Sequence, residues 1–303
     1  YTAWKVNSPD RIYFHYHYEP EGYWWAQAKP FLTLRKLEVP DNIFGNELSH
    51  YAHKADVLRL QLIKEYGGIY LDMDVICINP FSKLLNHDCV LGIEAHKGLC
   101  NAVILARPDA EFIDKWLKSY RSFSKSSWIG HSVRMPYKLA CRNPESLHVE
   151  DQYAFFCPVC DDPAHQYLWT AEMPLQSRVR NYLYHNLDSR RMAKRTVMAA
   201  TCMVRWRTRL GSPTRHLFKS RDWHRDTLMK SYCVHLWENE WWDKYLKDLS
   251  PDWLSESNCN MAEVLRNVLS AEEIQSFQQG RPSSEAVSAE TAADEVGLNQ
   301  SEF

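Results

Sequence analysis

Residues 51–80, YAHKADVLRLQLIKEYGGIYLDMDVICINP, run from a helical repeat through a Gly-Gly break into an apolar stretch holding two carboxylates. From Ser49, a candidate cap, to Tyr66 the spacing predicts a helix. Ala55, Leu58, Leu62 and Tyr66 form one stripe, while a second face carries Asp56, Arg59 and Ile63. Gly67 stands where a helix C-cap wants a residue tolerant of positive φ. The run Ile69–Ile78 is apolar on both faces, the pattern of a strand covered on both sides. Read as one strand, it sends Asp72 and Asp74 to the same side. Buried together, two carboxylates push each other's pKa upward, and a divalent cation removes that conflict. Hard oxygen ligands suit Mg²⁺ or Mn²⁺. Asp56 and Arg59, three apart, are helix neighbours. The plain account is a surface ion pair worth about 0.2–0.5 kcal/mol. The competing account is that their helix leads straight into the carboxylate site.

Composition sets wide bounds. The chain has 303 residues, 45% hydrophobic and 24% charged, with a formal net charge of −2, ordinary for a globular protein with a large core. Thirteen per cent aromatic residues with twelve Trp is high, and suits either a large core or the half-polar walls of a ligand site. No apolar run approaches the roughly 18–20 residues that span a bilayer, and no signal peptide is visible. Any membrane anchor is expected upstream of Tyr1. Nine cysteines follow no disulfide framework, and Cys157-Pro-Val-Cys160 has no second pair at zinc spacing.

Around the central block, strand-like and helical stretches alternate: a helical remnant at 1–6, strands at 11–15, 89–93 and 102–106, and a helix at 108–120. A helix over 128–142 is expected to break at Pro136, and a short strand follows at 147–149. Alternation of this kind predicts a mostly parallel sheet flanked by helices, with ligands beyond the carboxyl ends of the strands. The expected organisation is a single domain over 1–274 with a basic insert at 176–230, followed by a disordered acidic tail at 275–303. The insert carries fourteen Lys/Arg against three Asp, including Arg205-Trp-Arg-Thr-Arg209. It reads either as a solvated insert or as an anionic-partner surface, and without a recognition motif no nucleic acid is expected. Order returns at 232–242, a β-rich run holding His235, which on its own reads as a core histidine. Helices follow at 243–254 and 261–269.

Taken together, A-D-V-L-R at 55–59, G-G-I-Y-L-D-M-D at 67–74 and V-H-L-W at 234–237 resemble the DXD-containing sugar-binding glycosyltransferases. That group includes the fungal family 32 mannosyltransferases, the lactosylceramide α-1,4-galactosyltransferases and, more distantly, the clostridial glucosylating toxins. The resemblance spans roughly residues 10–160 and 230–250. It implies an α/β fold of the GT-A, Rossmann-like type. It also implies a retaining enzyme that moves a hexose from a UDP- or GDP-hexose to a glycan or glycolipid acceptor, in the Golgi. Asp56 and Arg59 match the pair that holds hydroxyls of the donor sugar, and Tyr70 a residue lining the donor site. Asp72 and Asp74 match the DXD motif that binds Mn²⁺ or Mg²⁺ on the donor diphosphate. His235 matches a histidine that approaches the metal, and Trp237 a residue that closes over the donor. Asn101 and Ser132–Pro136 also fall on family features. No catalytic base is assigned: Glu94, Glu150 and Asp151 are all placed for it. The alternatives are a catalytically silent GT-A-like binding domain or an N-terminally truncated fragment.

Overall fold

The computed structural model describes residues 1–94, 98–158, 168–169 and 221–280. Cys160, residues 176–220 of the basic stretch and residues 281–303 of the tail lie outside them. Helix α1 (Thr2–Asn7) leads to β1 (Tyr13–Tyr16), α2 (Tyr23–Ala28) and β2 (Thr33–Lys36), which pairs parallel with β1. The two-residue strands β3 (Asn42–Ile43) and β4 (Asn46–Glu47) form a small antiparallel pair ahead of α3 (Tyr51–Tyr66). Then come β5 (Gly68–Leu71), β6 (Val75–Cys77), β7 (Cys89–Glu94), β8 (Gly98–Ala106), α4 (Glu111–Ser119), α5 (Met135–Arg142) and β9 (His148–Glu150). The remaining described strands and α-helices are α6 (Arg221–Lys230), β10 (Cys233–His235), α7 (Glu238–Trp241), α8 (Pro251–Glu256), α9 (Asn260–Val268) and α10 (Ala271–Gln279), with a π-helical segment, Trp242–Leu246, after α7.

The central sheet has the order β5-β8-β7-β9. β5 and β7 both run antiparallel to β8, and only β9 runs parallel to its neighbour β7. The sheet is therefore mixed, not mostly parallel as the alternation of elements predicts. Chain length explains the difference. β7 ends at Glu94 and β8 begins at Gly98, far too short a link for the crossover that parallel neighbours need.

All nine residues of β8 are buried, so the sheet is covered on both faces. On one face Leu91, Ile93, Leu99 and Ile104 pack with Val57, Leu60 and Ile63 of α3 and Phe112, Ile113 and Trp116 of α4. On the other, Val90, Cys100, Ala102 and Leu105 pack with Phe81, Phe155 and Phe156. Each fully buried large side chain contributes about 1.5–3 kcal/mol. A third cluster joins α6, β10, α8, α9 and α10 through Leu228, Val234, Leu254, Met261 and Ile274.

Several local expectations change. The side chain that caps α3 is His50, which accepts from the Ala52 N–H at 3.1 Å, rather than Ser49. The helical stretch changes type beside Pro136: a π-helical segment, Gly130–Arg134, runs into α5, and Pro136 occupies the first turn of α5, where its missing N–H costs nothing. α10 carries order to Gln279, past the Gln275 at which a disordered tail is expected; its Ser270–Glu273 capping box closes the helix start. Gly67 does cap α3, with φ 65°, and a Cβ there would lie 2.5 Å from Pro108 Cδ. Only glycine meets both conditions.

Candidate active site

The largest revision concerns α3. Its interior face is the one bearing His53, Asp56, Val57, Arg59, Leu60 and Ile63, while Tyr66 of the opposite stripe is exposed. Asp56 and Arg59 are each only 7% exposed, so the surface ion-pair account fails. Burying charges demands partners. The Arg59 guanidinium lies 3.6 Å from Asp56 Oδ1 and 3.0 Å from Asp72 Oδ1. It donates through Nη1 to the Asn101 carbonyl at 3.0 Å and through Nε to the Ala55 carbonyl at 3.3 Å. Its carbon sits 4.8 Å from the Tyr70 ring centre, a cation–π distance. Burial opposes the charge, yet Tyr70, Asp72 and Asp56 hold the group firmly protonated.

Asp56 accepts from the Asn101 amide at 2.7 Å. Burial raises its pKa, against the pull of Arg59 and Asn101. Asn101 lies in β8, so the sheet reaches across to α3 at this point. Tyr70, half-buried in β5, donates to Asp72 Oδ1 at 2.6 Å. Burial pushes that phenol well above its ordinary range, which keeps the donor proton in place.

The Asp72-Met73-Asp74 segment is not part of a strand. β5 stops at Leu71, β6 starts at Val75, and the Val75 N–H closes a turn on the Asp72 carbonyl at 3.1 Å. Strand alternation therefore does not bring the carboxylates together; a turn does, with Met73 85% exposed at its tip. The sheet anchors the near side, since the Asp72 N–H donates to the Ala102 carbonyl at 2.9 Å. β10 anchors the far side. It pairs antiparallel with β6, His235 opposite Val75, and so delivers a residue far downstream to the turn. The Leu236 N–H donates to the Asp74 carbonyl at 2.9 Å, and the Glu238 N–H to Asp74 Oδ2 at 2.9 Å.

His235 Nε2 lies 3.0 Å from Asp74 Oδ1. Although burial works the other way, His235 and the Glu238 N–H hold the Asp74 carboxyl below the usual range. One ligand atom each from Asp72, Asp74 and His235 lies within 4.8 Å of the others, and among the described residues no other such group of three is found. Two partly exposed carboxylates with one imidazole are a donor set that fits Mn²⁺ or Mg²⁺, leaving the remaining positions to phosphate and water. Trp237 follows His235 in a left-handed conformation, φ 57° and ψ 52°. Its ring packs 4.1 Å from the imidazole, and its indole N–H donates to the Pro158 carbonyl at 3.2 Å. Thus Asp56, Arg59, Tyr70, Asn101 and Asp72 are linked by direct contacts, and Asp74, His235 and Trp237 continue the group across the turn.

The three carboxylates left open for catalysis fare differently. Glu150 contacts His148 Nε2 at 2.7 Å, and Asp151 accepts from the Tyr153 N–H at 2.8 Å. Glu94 is buried at the end of β7, where burial and its charge together push the Cys100 thiol up. Sequence reasoning missed the buried polar side chains His53, Tyr120 and His131, the first two within electrostatic reach of Asp56. The i, i+3 spacing of His53 and Asp56 on the face of α3 left as secondary was the available signal.

Residues 6–91 match the family model described as a glycosyltransferase sugar-binding region containing a DXD motif. Over that stretch the chain is similar to the sugar-binding region of the DXD-containing glycosyltransferases. That DXD region holds Asp56, Arg59, Tyr70, Asp72 and Asp74, whereas Asn101, His235 and Trp237 lie beyond it. Over 161 residues the chain is 46% identical to glucan organizing enzyme 1 of Cryptococcus neoformans, covering 50% of this chain and 44% of that protein. Over 129 residues it is 27% identical to mannosyl phosphorylinositol ceramide synthase CSH1 of Saccharomyces cerevisiae, covering 42% of this chain and 31% of that one. An uncharacterized protein of Arabidopsis thaliana is 28% identical over 118 residues, 36% of this chain and 18% of its own length. The chain thus matches less than half the length of each of these relatives. No solved structure matches. No helix among the described residues is long and apolar enough to cross a membrane.

Proposed function

We propose that the DXD region, completed by Asn101, His235 and Trp237, is the donor site of a metal-dependent, retaining glycosyltransferase of GT-A type. The observation that carries this reading is the adjacency of two groups: the buried Asp56–Arg59–Asn101 set and the Asp72/Asp74/His235 ligand set, joined through the contact of Arg59 with Asp72. The first set offers charged hydrogen-bonding groups to the hydroxyls of a hexose. The second would hold Mn²⁺ or Mg²⁺. When bound, that ion acts as a Lewis acid on the diphosphate leaving group of a UDP- or GDP-hexose.

The remaining work falls to the protein. Arg59 and Tyr70 fix the Asp72 carboxylate, and the Glu238 N–H fixes Asp74, so neither needs to reorganise during reaction. Tyr70 under the guanidinium helps to fix the position of Arg59. The route that needs no protein nucleophile is a same-face displacement, in which the departing phosphate helps take the proton of the acceptor hydroxyl. One relative's name refers to a mannosyl-lipid product and another's to glucan. Both suit a glycan or glycolipid acceptor. Residence in the Golgi lumen belongs to the same proposal, and Cys141, which takes part in a disulfide, suits an oxidising compartment.

A thermal-shift screen of UDP- and GDP-hexoses with Mn²⁺ tests the reading. One donor at a hundredfold its Kd should stabilise the protein by about 2.7 kcal/mol, a shift of several degrees that EDTA abolishes. A flat response to every donor, or a shift that survives EDTA, contradicts it. Binding without turnover would instead identify a silent domain.

A further inference from the structure

Beside Asp56 the fold keeps a second group of polar atoms, and none of them has a partner. His53, one helical turn before Asp56 on the interior face of α3, is 4% exposed, and neither of its ring nitrogens makes a hydrogen bond. Tyr120, fully buried after α4, leaves its hydroxyl unpaired, and buried His131 leaves Nδ1 unpaired. The three belong to one cluster. The Tyr120 and His131 rings are 4.8 Å apart, and Phe123 lies 5.1 Å from His53 and 5.4 Å from His131. Trp128, 55% exposed, covers His53 from outside at 5.4 Å. The cluster and the sugar-side charges are within electrostatic reach of one another, Asp56 with both His53 and Tyr120.

Each buried polar atom without a partner costs about 1–3 kcal/mol, so a guest that paired with these four would remove that cost. The chemistry narrows the guest. His53 and His131 do not fall in a group close enough to hold a metal ion with another ligand residue. Neither nearby cation pairs with the cluster: Arg59 is committed to Asp72, Asp56 and the Asn101 carbonyl, and exposed Lys138 acts on His131 only through space. What remains is a neutral molecule with several hydroxyls and an apolar face, matched by imidazole and phenol groups set among aromatic rings.

We infer that His53, Tyr120 and His131 form the part of the donor pocket that reads the hydroxyls of the hexose on the side beyond Asp56, with Trp128 as its outer wall. This rests on the donor-site reading above and deepens it. Asp56 and Arg59 grip the sugar, while the neutral cluster decides which hydroxyl configuration fits. Burial supports these roles: it lowers the His131 pKa and raises that of Tyr120, so both remain neutral donors or acceptors.

The decisive variant is Tyr120→Phe in the full chain, which deletes one unpaired oxygen and leaves the ring in place. The measurements are affinity for the bare nucleoside diphosphate with Mn²⁺, KM for the nucleotide hexose, and Tm. The inference predicts unchanged diphosphate affinity, a KM raised about tenfold, and a Tm equal to or above wild type. It also predicts that wild type, but not Tyr120→Phe, discriminates against one monodeoxy form of the donor hexose. An unchanged KM and unchanged discrimination would overturn it, leaving a pocket filled by water alone. His53→Ala then checks the cluster independently: a KM rise with the same unchanged diphosphate affinity is expected, and equal weakening of both ligands counts against it. If wild type itself binds no nucleotide sugar while remaining folded, the donor-site reading fails, and this inference with it.

Discussion

At one end of the site Arg59 is enclosed by Asp56, Asp72, Tyr70 and the Asn101 carbonyl, each of which accepts from it or packs on it. At the other, Asp72-Met73-Asp74 makes a turn whose central side chain is in solvent and whose far carboxylate is met by His235 and one backbone N–H. The first end is closed: its charges are neutralised within the protein, so it holds its shape with or without a ligand. The second is open, with two partly exposed carboxylates grouped beside buried His235, and is the end where the proposed cation and phosphate would bind. The contrast separates what keeps the site folded from what makes it reactive. Asp72 belongs to both ends and couples them.

The largest effect is expected at the closed end. Arg59→Ala leaves Asp56 and Asp72 without their cation and should cost about 3–5 kcal/mol in denaturant unfolding, with donor binding lost. A loss under about 1 kcal/mol would mean that this end is not closed in the sense described. Next comes Asp74→Asn at the open end. It keeps the shape and should leave unfolding within about 1 kcal/mol of wild type, while lowering metal-dependent turnover at least a hundredfold, about 2.7 kcal/mol of barrier. The coupling itself is probed by Tyr70→Phe, which removes the hydroxyl donated to Asp72 but keeps the ring beneath Arg59. Stability should fall by about 1.5 kcal/mol and metal affinity should weaken, each seen by titration on the same sample.

A baseline comes from far outside both ends. Glu273 of α10 accepts from Lys5 and from the Tyr1 hydroxyl, which against the effect of burial hold its pKa down to about 2. A carboxyl whose folded pKa is lowered stabilises the protein above its ordinary pKa near 4.5, and that stabilisation disappears as pH falls towards 2. Glu273→Gln should therefore lower stability by at most about 1 kcal/mol at neutral pH, with the gap closing in acid. A gap that widened in acid would reverse the assigned sign.

The types of element were more legible than their roles. The helix–Gly-Gly–DMD block shows itself because each part has a local cause: period, C-cap and an apolar run. What the sequence could not display was which side of α3 faces inward, because Leu58 and Leu62 on one side balance Val57, Leu60 and Ile63 on the other. The charged face won, since Arg59 finds compensating partners in Tyr70 of β5, Asp72 of the turn after it and the Asn101 carbonyl of β8. Asp72 and Asp74 were found for an incomplete reason. Hydrophobicity runs straight through a turn that only the exposure of Met73 reveals. His235 was legible only by resemblance, because its place depends on the β10–β6 pairing, a contact between distant segments. The mixed sheet was legible in principle, from the three residues between β7 and β8.

The central claim is that Asp72, Asp74 and His235 bind a divalent cation on which the donor diphosphate then binds. Titration of Mn²⁺ followed by electron paramagnetic resonance, with and without UDP or GDP, measures this directly. The account predicts one Mn²⁺ site in wild type, tightened by the nucleoside diphosphate and weakened at least tenfold in Asp74→Asn. Mn²⁺ binding that is absent from wild type, or equal in wild type and Asp74→Asn, would contradict it.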